Sequence, residues 1–304
     1  MLRQTAKAVT LVLLIAALAG LFIRPAGQAV EKTVKPTPTV KIGMVQSLFK
    51  DVPEALVSLM TVPFQTLMQS STGMKGDIVR SGDHHSLGKD LMEEKVHLGI
   101  FLGYEFALAK QKYPELEPLM IVVNTHTQLH AILLSKEDGG PGSWAGLKDQ
   151  TLTIAKGTRP HCHMFLNKCC QEHCQCCPED ACKIVVAPTA EDAIDEVVDG
   201  AAQATLIDGV NLESYQRRKP GRFGTLKVVE KSETFPAAVV VFRPGVLTED
   251  ELKRFKNGMM NANKSIMGKQ LLTLWKITGF EPVPAEFPET LENIIKAYPP
   301  PAEE

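Results

Sequence analysis

The sequence predicts an α/β fold of two lobes, with mixed sheets, two hinge crossings and a cleft between the lobes. Short apolar or β-branched runs alternate with helical patterns in two successive series, which is typical of sheets covered by helices. The first series gives way to the second near residues 125–135, and a strand-like run returns near residues 232–242. The chain therefore crosses between the lobes twice, and two crossings make a hinge and a cleft.

The composition is that of a globular protein. The chain has 304 residues, of which 44% are hydrophobic and 22% charged, enough for one large domain or two lobes. The formal net charge is −2, so no basic excess indicates nucleic acid as a partner. A local basic cluster, Arg217 to Lys219 with Arg222, is interpreted as a solvated helix end.

The first residues have the pattern of an export signal. Basic residues precede an apolar run over residues 8–23, and small residues follow it up to Ala29. We therefore predict a signal peptide over residues 1–29, with an uncleaved anchor as the alternative because Arg24 follows the run directly. The protein is then periplasmic or otherwise exported, and residues 30–39 form an extended linker.

Residues 40–128 are predicted to form lobe 1. Pro63 lies inside its first helix and is expected to kink or interrupt it. Apolar runs predict the strands and helical spacing predicts the helices. The predicted strands are Val40–Val45, Gly76–Ser81, Val96–Phe101 and Leu116–Asn124, and the helices are Asp51–Ser70, Ser86–Glu94 and Glu105–Lys112.

Residues 129–235 are predicted to form lobe 2, with a cysteine-rich segment at residues 162–182. A helix is expected to begin at Arg159-Pro160-His161, since proline is favoured at the first helical position. The predicted strands are Leu129–Ser135, Leu152–Ala155, Lys183–Val186, Ala204–Ile207 and Thr225–Val229, and the further helices are Ala190–Asp199 and Asn211–Arg218.

Residues 236–298 are predicted to return to lobe 1, followed by a tail at residues 299–304. Thr248 precedes three acidic residues, which suits an N-cap at the positive end of a helix dipole. The predicted strand is Pro236–Phe242, and the helices are Thr248–Asn261, Lys264–Thr278 and Glu289–Ala297.

The turn Gly157–His161 is a candidate anion site. Free amides at a helix start attract anions, and Arg159 can add a charge-assisted contact to phosphate-like oxygens. The alternative is an ordinary strand-to-helix turn with a solvated arginine.

Other candidates follow predicted strands, where ligands collect in α/β sheets. Asp208 can take a ligand amine or hydroxyl, or it can cap the next helix. Tyr104 can stack on or hydrogen-bond to a ligand, or it can be a core aromatic. For Asp83, His84 and His85 an exposed loop is favoured over a role in the cleft.

All seven cysteines lie between Cys162 and Cys182, interleaved with His161, His163 and His173. Three interpretations stay open: a disulfide-stapled insert, thiolate metal binding, or neither. In the first, one cysteine between positions 169 and 177 joins Cys182. In the second, the weak candidates for metal ligands are Cys169, Cys170, Cys174, Cys176 and Cys177.

No sequence motif indicates an enzyme or a cofactor. The chain has no nucleophile elbow, no Walker loop and no H-E-x-x-H pattern. We predict a binding protein with no cofactor and no catalytic residue.

Four runs resemble the phosphate/phosphonate-binding periplasmic proteins of ABC transporters, which are type II periplasmic binding proteins. The runs are HLGIFLGYEFALAKQKYPELEPLMIVVN, SWAGLKDQTLTIAKGT, AEDAIDEVVDGAAQATLIDGVNLESY and SETFPAAVVVF. The resemblance covers residues 40–280 in organisation. One difference is in the turn after the first strand of lobe 2, which is rich in Ser and Thr in the family and keeps only Thr158 here.

The resemblance implies an exported solute-binding protein that closes on a phosphate- or phosphonate-like oxyanion, with an ABC permease as partner. The alternatives are a metal-binding or redox module on the same fold, or a membrane-anchored sensory or scaffold protein. The ligand-binding residues carried over from the resemblance are Tyr104, Thr158, Arg159, His161, Asp208, Ser232 and Thr234.

Overall fold

The computed structural model describes residues 39–49 and 54–300, without the side chains of residues 54–60. No helix in this described part of the chain is long and apolar enough to cross a membrane. Three predictions fall wholly or mostly outside it: the signal or anchor at 1–29, the linker at 30–39 and the tail at 299–304.

The described chain alternates strands and helices. The strands are β1 (Thr39–Met44), β2 (Lys75–Arg80), β3 (Leu98–Phe101), β4 (Glu117–Val123), β5 (Gln128–Leu129), β6 (Ala131–Lys136), β7 (Thr151–Ala155), β8 (Lys183–Ala187), β9 (Ala204–Asp208), β10 (Leu226–Lys231), β11 (Phe235–Pro236), β12 (Ala238–Phe242) and β13 (Gly279–Glu281). The helices are α1 (Glu54–Thr72), α2 (His84–Met92), α3 (Gly103–Lys112), α4 (Pro160–Cys174), α5 (Pro178–Ala181), α6 (Ala190–Val198), α7 (Gly209–Arg218), α8 (Pro220–Phe223), α9 (Glu249–Met260), α10 (Ile266–Leu274) and α11 (Phe287–Ala297), with 3₁₀ turns at Gln46–Phe49, Trp144–Leu147 and Ala262–Lys264.

The first sheet has six strands in the order β13-β4-β12-β3-β1-β2. β1 runs parallel to β2 and β3, whereas β12 is antiparallel to both of its neighbours, β3 and β4. Side chains alternate across the sheet: Val239 and Val241 face the core under α2, α3 and α11, and Val240 faces the core under α1, α9 and α10. Both faces of this sheet are therefore buried.

The second sheet has five strands in the order β10-β6-β9-β7-β8. β7 is parallel to β8 and β9, and β6 is antiparallel to β9 and β10. Helix α4 packs on one face through Phe165 and Leu166, and α6 and α7 cover the other face through Ile194 and Leu212. The helix that carries most of the cysteines is thus part of a sandwich around this sheet.

Two chain crossings join the sheets. β5 leads from β4 of the first sheet to β6 of the second, and β11 leads from β10 back to β12. The crossings pair with each other as an antiparallel ribbon, with Leu129 opposite Phe235. This arrangement agrees with the predicted two-sheet α/β fold, while the exact limits of the lobes at 128, 235 and 298 stay predictions.

Gly103 allows α3 to start against the second crossing. A Cβ at this position would lie 2.2 Å from the carbonyl oxygen of Pro236 and 2.5 Å from that of Ala237. Only glycine fits such a close backbone approach. The turn predicted at Gly103 and Tyr104 is the first turn of α3.

Several local predictions were wrong. α1 is not interrupted at Pro63 but continues to Thr72, with Phe64, Leu67 and Met68 buried in the core, while a kink at Pro63 stays a prediction. β13 was missed, since it is only three residues long and pairs at the sheet edge with β4. The strands predicted at Leu129–Ser135 and Pro236–Phe242 are each divided at the crossing ribbon.

Two interpretations of polar clusters were also wrong. His84 and His85 start helix α2 behind the N-cap Asp83, whose carboxylate accepts a hydrogen bond from an amide of the first turn, so they are not in a loop. The basic cluster at the end of α7 is not simply solvated. Its side chains pair with acids of α6: Lys219 and Arg222 contact Asp195 at 2.5 and 2.8 Å, so the cluster ties neighbouring helices together.

Candidate functional site

A cavity of about 390 Å³ lies where the first crossing meets the start of α4 and the start of α7. We call it the histidine cavity. It is lined by His126, Thr127, Gln128, Leu129, His130, Ile132, His161, Asp208, Gly209, Val210, Leu212, Glu213, Gln216 and Lys231. Helix starts and the carboxyl ends of parallel strands commonly form ligand sites in α/β proteins.

The loop from β7 into α4 brings the predicted residue His161 into the cavity wall and places Arg159 next to Asp208 of that wall. Arg159 is the N-cap residue of α4, and Pro160 is at the first helical position, as predicted. The Nε of Arg159 lies 3.7 Å from Oδ2 of Asp208 at the end of β9. The Arg159 side chain is 29% exposed, and it lies beside the cavity rather than among the residues that line it.

Asp208 has a structural role as well as a place in the cavity wall. Its Oδ1 accepts a hydrogen bond from the amide of Asn211 at 3.0 Å, and its Oδ2 accepts one from the Asn211 side chain at 2.7 Å. The carboxylate is 5% exposed and caps α7. Its acceptor capacity is therefore largely used within the protein.

His161 is the most unusual group in the wall. The residue is 7% exposed, its ring lies 5.3 Å from the ring of Phe235, and its Nε2 has no hydrogen-bond partner among the described residues. Burial lowers the pKa of His161 to about 4, against the opposing effect of the Asp208 carboxylate. The ring is thus neutral at physiological pH.

The first crossing supplies two further histidines. His130 Nδ1 lies 3.3 Å from the carbonyl oxygen of Ser232, and burial lowers the pKa of this histidine. His126 Nε2 lies 2.8 Å from Oε2 of Glu213 on α7. Both were missed in the sequence. The alternation of His126, Gln128 and His130 along a predicted crossing was a usable signal, since alternate residues of an extended segment share a face.

The other predicted site residues lie outside the histidine cavity, and most of their side chains are hydrogen-bonded within the protein. The Thr158 hydroxyl donates to the carbonyl of Ala155 at 2.7 Å. The Tyr104 hydroxyl donates to the carbonyl of Tyr298 at 2.8 Å, and burial raises its pKa. Neither Thr158 nor Tyr104 lines the histidine cavity. Their contact with a ligand stays a prediction.

Ser232 and Thr234 belong to the second crossing. The Ser232 hydroxyl accepts from the amide of Ala131 at 2.9 Å and donates to the Glu233 carbonyl at 2.8 Å, which fixes the two crossings to each other. Thr234 lines a second cavity of about 420 Å³, bounded by the crossings and α11. A role of either residue in ligand binding also stays a prediction.

A polar clasp holds the second crossing between α4 and the end of α11. The Glu233 carboxylate is in contact with the Lys168 ammonium of α4 and accepts a hydrogen bond of 2.6 Å from the Tyr298 hydroxyl. Although burial raises the pKa of Glu233, these two partners lower it below its ordinary value. Since His161, Met164 and Lys168 are spaced along one face of α4, the helix connects the histidine cavity to the clasp.

The cysteines form one disulfide, Cys174–Cys176, and the other five are free. The bridge to Cys182 was therefore a wrong prediction: Cys182 is buried in the second-sheet core, where its sulfur faces the Pro178 carbonyl at 3.6 Å. Burial raises the pKa of Cys169 beyond the ordinary range and that of Cys170 to about 11, so these thiols are protonated. Within residues 39–49 and 54–300, no group of three or more His, Cys, Asp or Glu is arranged to hold a metal ion.

The sequence model of one protein family matches most of the chain. That family is described as ABC transporter, phosphonate, periplasmic substrate-binding protein, and the match covers residues 52–286. It confirms the resemblance found in the four sequence runs. No curated protein matches the chain in sequence.

Several solved structures resemble this one over most of their length. XAC2383 from Xanthomonas citri, bound to chloride ion, is 14% identical with a TM-score of 0.57, covering 86% of this chain and 97% of that one. A binding protein component of an ABC phosphonate transporter from Pseudomonas aeruginosa is 14% identical with a TM-score of 0.51, covering 86% and 87%. PhnD1 from Prochlorococcus marinus, in complex with methylphosphonate, is 13% identical with a TM-score of 0.50, covering 85% and 96%. At these identities the likeness shows the fold alone, and it confirms the predicted two-lobed periplasmic binding protein fold.

Proposed function

Because the chain belongs to the family of periplasmic substrate-binding proteins of phosphonate ABC transporters, we propose that it is an exported binding protein for a small phosphate- or phosphonate-like oxyanion. The family consists of solute-binding proteins rather than enzymes, and its members work with an ABC permease. This protein delivers its ligand to such a permease after binding it in the histidine cavity.

The observation that carries this proposal is the position of the α4 start. The first turn of this 15-residue helix reaches the cavity through His161, and Arg159 stands beside it. The partial positive charge of the helix start and the guanidinium both favour an anion. Lys231 is a further basic residue of the cavity wall.

A thermal-shift screen tests the proposal. The probes are phosphate, phosphite, methylphosphonate, sulfate, methanesulfonate and taurine, each at several concentrations. A ligand that binds the folded state raises the melting temperature by mass action. Absence of a shift with every probe would refute oxyanion binding.

The Arg159→Gln variant connects binding to the proposed place. Loss of one charge-assisted hydrogen bond weakens the complex by roughly ten- to a hundredfold. The matched control is Arg243→Gln. Arg243 also forms an ion pair, with Glu94, but neither of these residues lines either cavity. Equal weakening in both variants would show that the effect is not specific to the histidine cavity.

A further inference from the structure

Three side chains on one face of α4 reach the second crossing and the core of the first sheet. The His161 ring lies 5.3 Å from the ring of Phe235 in the second crossing, and Met164 packs against the core that contains Phe235. One turn further on, the Lys168 ammonium pairs with Glu233 of the same crossing. Because α4 is otherwise packed on the second sheet, these contacts bridge the two sheets.

The partners of α4 in these contacts are fixed to the first sheet. The Phe235 ring lies 4.7 Å from the ring of Tyr298, and both residues are buried in the core formed with α3 and α11. The carbonyl oxygen of Tyr298 accepts the hydrogen bond from the Tyr104 hydroxyl of α3 at 2.8 Å. A movement of α4 away from the first sheet therefore has to separate it from Phe235, Tyr298 and Glu233.

The contacts of the clasp are polar and partly open to water. The Lys168 ammonium pairs with Glu233 and lies 5.0 Å over the ring of Tyr298. The side chains of Lys168 and Glu233 are 20% and 43% exposed. Ion pairs and cation–π contacts at such exposure are individually weak. The clasp therefore opens far more readily than the apolar cores on either side of it.

The first crossing begins with a strained backbone position. Thr125 has a φ of 71°, which β-branched residues rarely adopt. Its amide donates a hydrogen bond of 3.0 Å to the hydroxyl of Thr278, which stands just before the edge strand β13 of the first sheet. Strain of this kind persists only where surrounding contacts hold it, and it is concentrated in switch regions. Rotation about Thr125 changes how the second sheet stands relative to the first.

From these contacts we propose that the clasp of Lys168, Glu233 and Tyr298 is a latch across a hinge that is strained at Thr125. The latch holds α4 against the first sheet, and its release lets the hinge relax and the sheets separate. Opening takes the His161 ring away from Phe235 and so removes one wall of the histidine cavity. The latch itself does not depend on the proposed function, whereas its effect on ligand retention rests on it.

Chemical modification of His161 measures the opening without any ligand. Diethyl pyrocarbonate acylates neutral imidazole rings, and the rate at each histidine is followed by mass spectrometry of the peptides. His161 is 7% exposed, so its modification reports the population of the open state. Lys168→Met removes the ion pair and the cation–π contact and should raise this rate roughly fivefold. His173, whose side chain is 45% exposed, serves as the internal reference and should react at an unchanged rate.

The matched control is Lys219→Met. The Lys219 ammonium lies 2.5 Å from Oδ2 of Asp195 and 5.6 Å from the centre of the Tyr215 ring. This substitution therefore removes the same two kinds of contact, but all three residues belong to the helices on one face of the second sheet. The control should leave the modification rate of His161 at the wild-type value.

A substitution at the hinge should act in the opposite direction. Glycine adopts a positive φ without strain, so Thr125→Gly stabilises the latched state relative to the open one. The modification of His161 should become at least about fivefold slower than in the wild type. A rate that does not fall would overturn the assignment of the hinge to Thr125.

The remaining outcomes test the latch. An unchanged His161 rate in Lys168→Met overturns it, and so does an equal rise in Lys219→Met, which would show general loosening. Tyr298→Phe keeps the ring and loses only the hydrogen bond to Glu233, so a faster rate in this variant supports the latch even if Lys168→Met does not fold. Methylphosphonate should also dissociate roughly fivefold faster from Lys168→Met than from the control, and an equal rate overturns the link to the cavity. If no oxyanion binds to the wild type, the proposed function fails, while the modification rates still decide the latch.

Discussion

Replacement of His161 by glutamine should make the protein less sensitive to acid. Burial lowers the pKa of this ring from 6.5 to about 4, so between these values the unfolded chain binds a proton that the folded protein excludes. The contribution of the neutral ring to the free energy of unfolding is therefore fully present above pH 6.5 and is lost as the pH falls towards 4. Each pKa unit corresponds to about 1.4 kcal/mol, so the total loss is about 3 kcal/mol.

Urea unfolding of wild type and His161→Gln measures this loss. Between about pH 7.5 and about pH 4.5 the wild-type free energy of unfolding should fall by about 2.5 kcal/mol more than that of the variant. Most other titrating groups, including the half-buried His84 and His97, are common to both proteins and cancel in the difference. Parallel pH curves would show that the folded protein protonates or hydrates the ring, which would refute the assignment of a neutral, buried His161.

Four further predictions concern the rest of the chain. Gly103→Ala places a methyl group 2.2 Å from the Pro236 carbonyl and should cost about 1–3 kcal/mol or more in urea unfolding; an unchanged midpoint would contradict this close approach. Thr248→Ala removes the capping box of α9 and should cost about 1 kcal/mol, whereas Thr248→Ser should cost little. Tyr298→Phe removes a phenol of the clasp and should cost about 1 kcal/mol by the same assay. Iodoacetamide should label Cys177 first in the native protein, because the other free thiols are buried; mass spectrometry showing another site first would contradict this burial.

The fold was readable from the sequence because both sheets are buried on both faces. Strands such as Ala204–Asp208 are fully buried, so they appear as continuous apolar runs, and the helices between them have clear apolar spacing. The start of α4 was also predictable, since Pro160 at the first helical position is a local signal. Local signals of this kind do not depend on the rest of the chain.

The sequence was less informative about side-chain contacts between residues that are far apart along the chain. The Tyr104 hydroxyl contacts the carbonyl of Tyr298, 194 residues away, and nothing near Tyr104 indicates this. Lys168 of the clasp likewise meets Glu233, 65 residues away. Such contacts follow from how α3 meets the end of α11 and how α4 meets the second crossing, which local patterns do not determine.

The candidate site was predicted in part. Arg159, His161 and Asp208 were found because each follows a strand or starts a helix, and the structure brings these three together. His126 and His130 were missed because they lie in a short crossing without a motif. The neutral state of His161 depends on its burial, with the ring packed near that of Phe235, so it was not visible in the sequence.

A crystal structure of the protein grown with methylphosphonate tests the central claim most directly. We expect the phosphonate group in the histidine cavity at the start of α4, with its oxygens facing Arg159 and Lys231. Density for the ligand in the second cavity, beside Thr234 and α11, with the histidine cavity empty, would contradict the account.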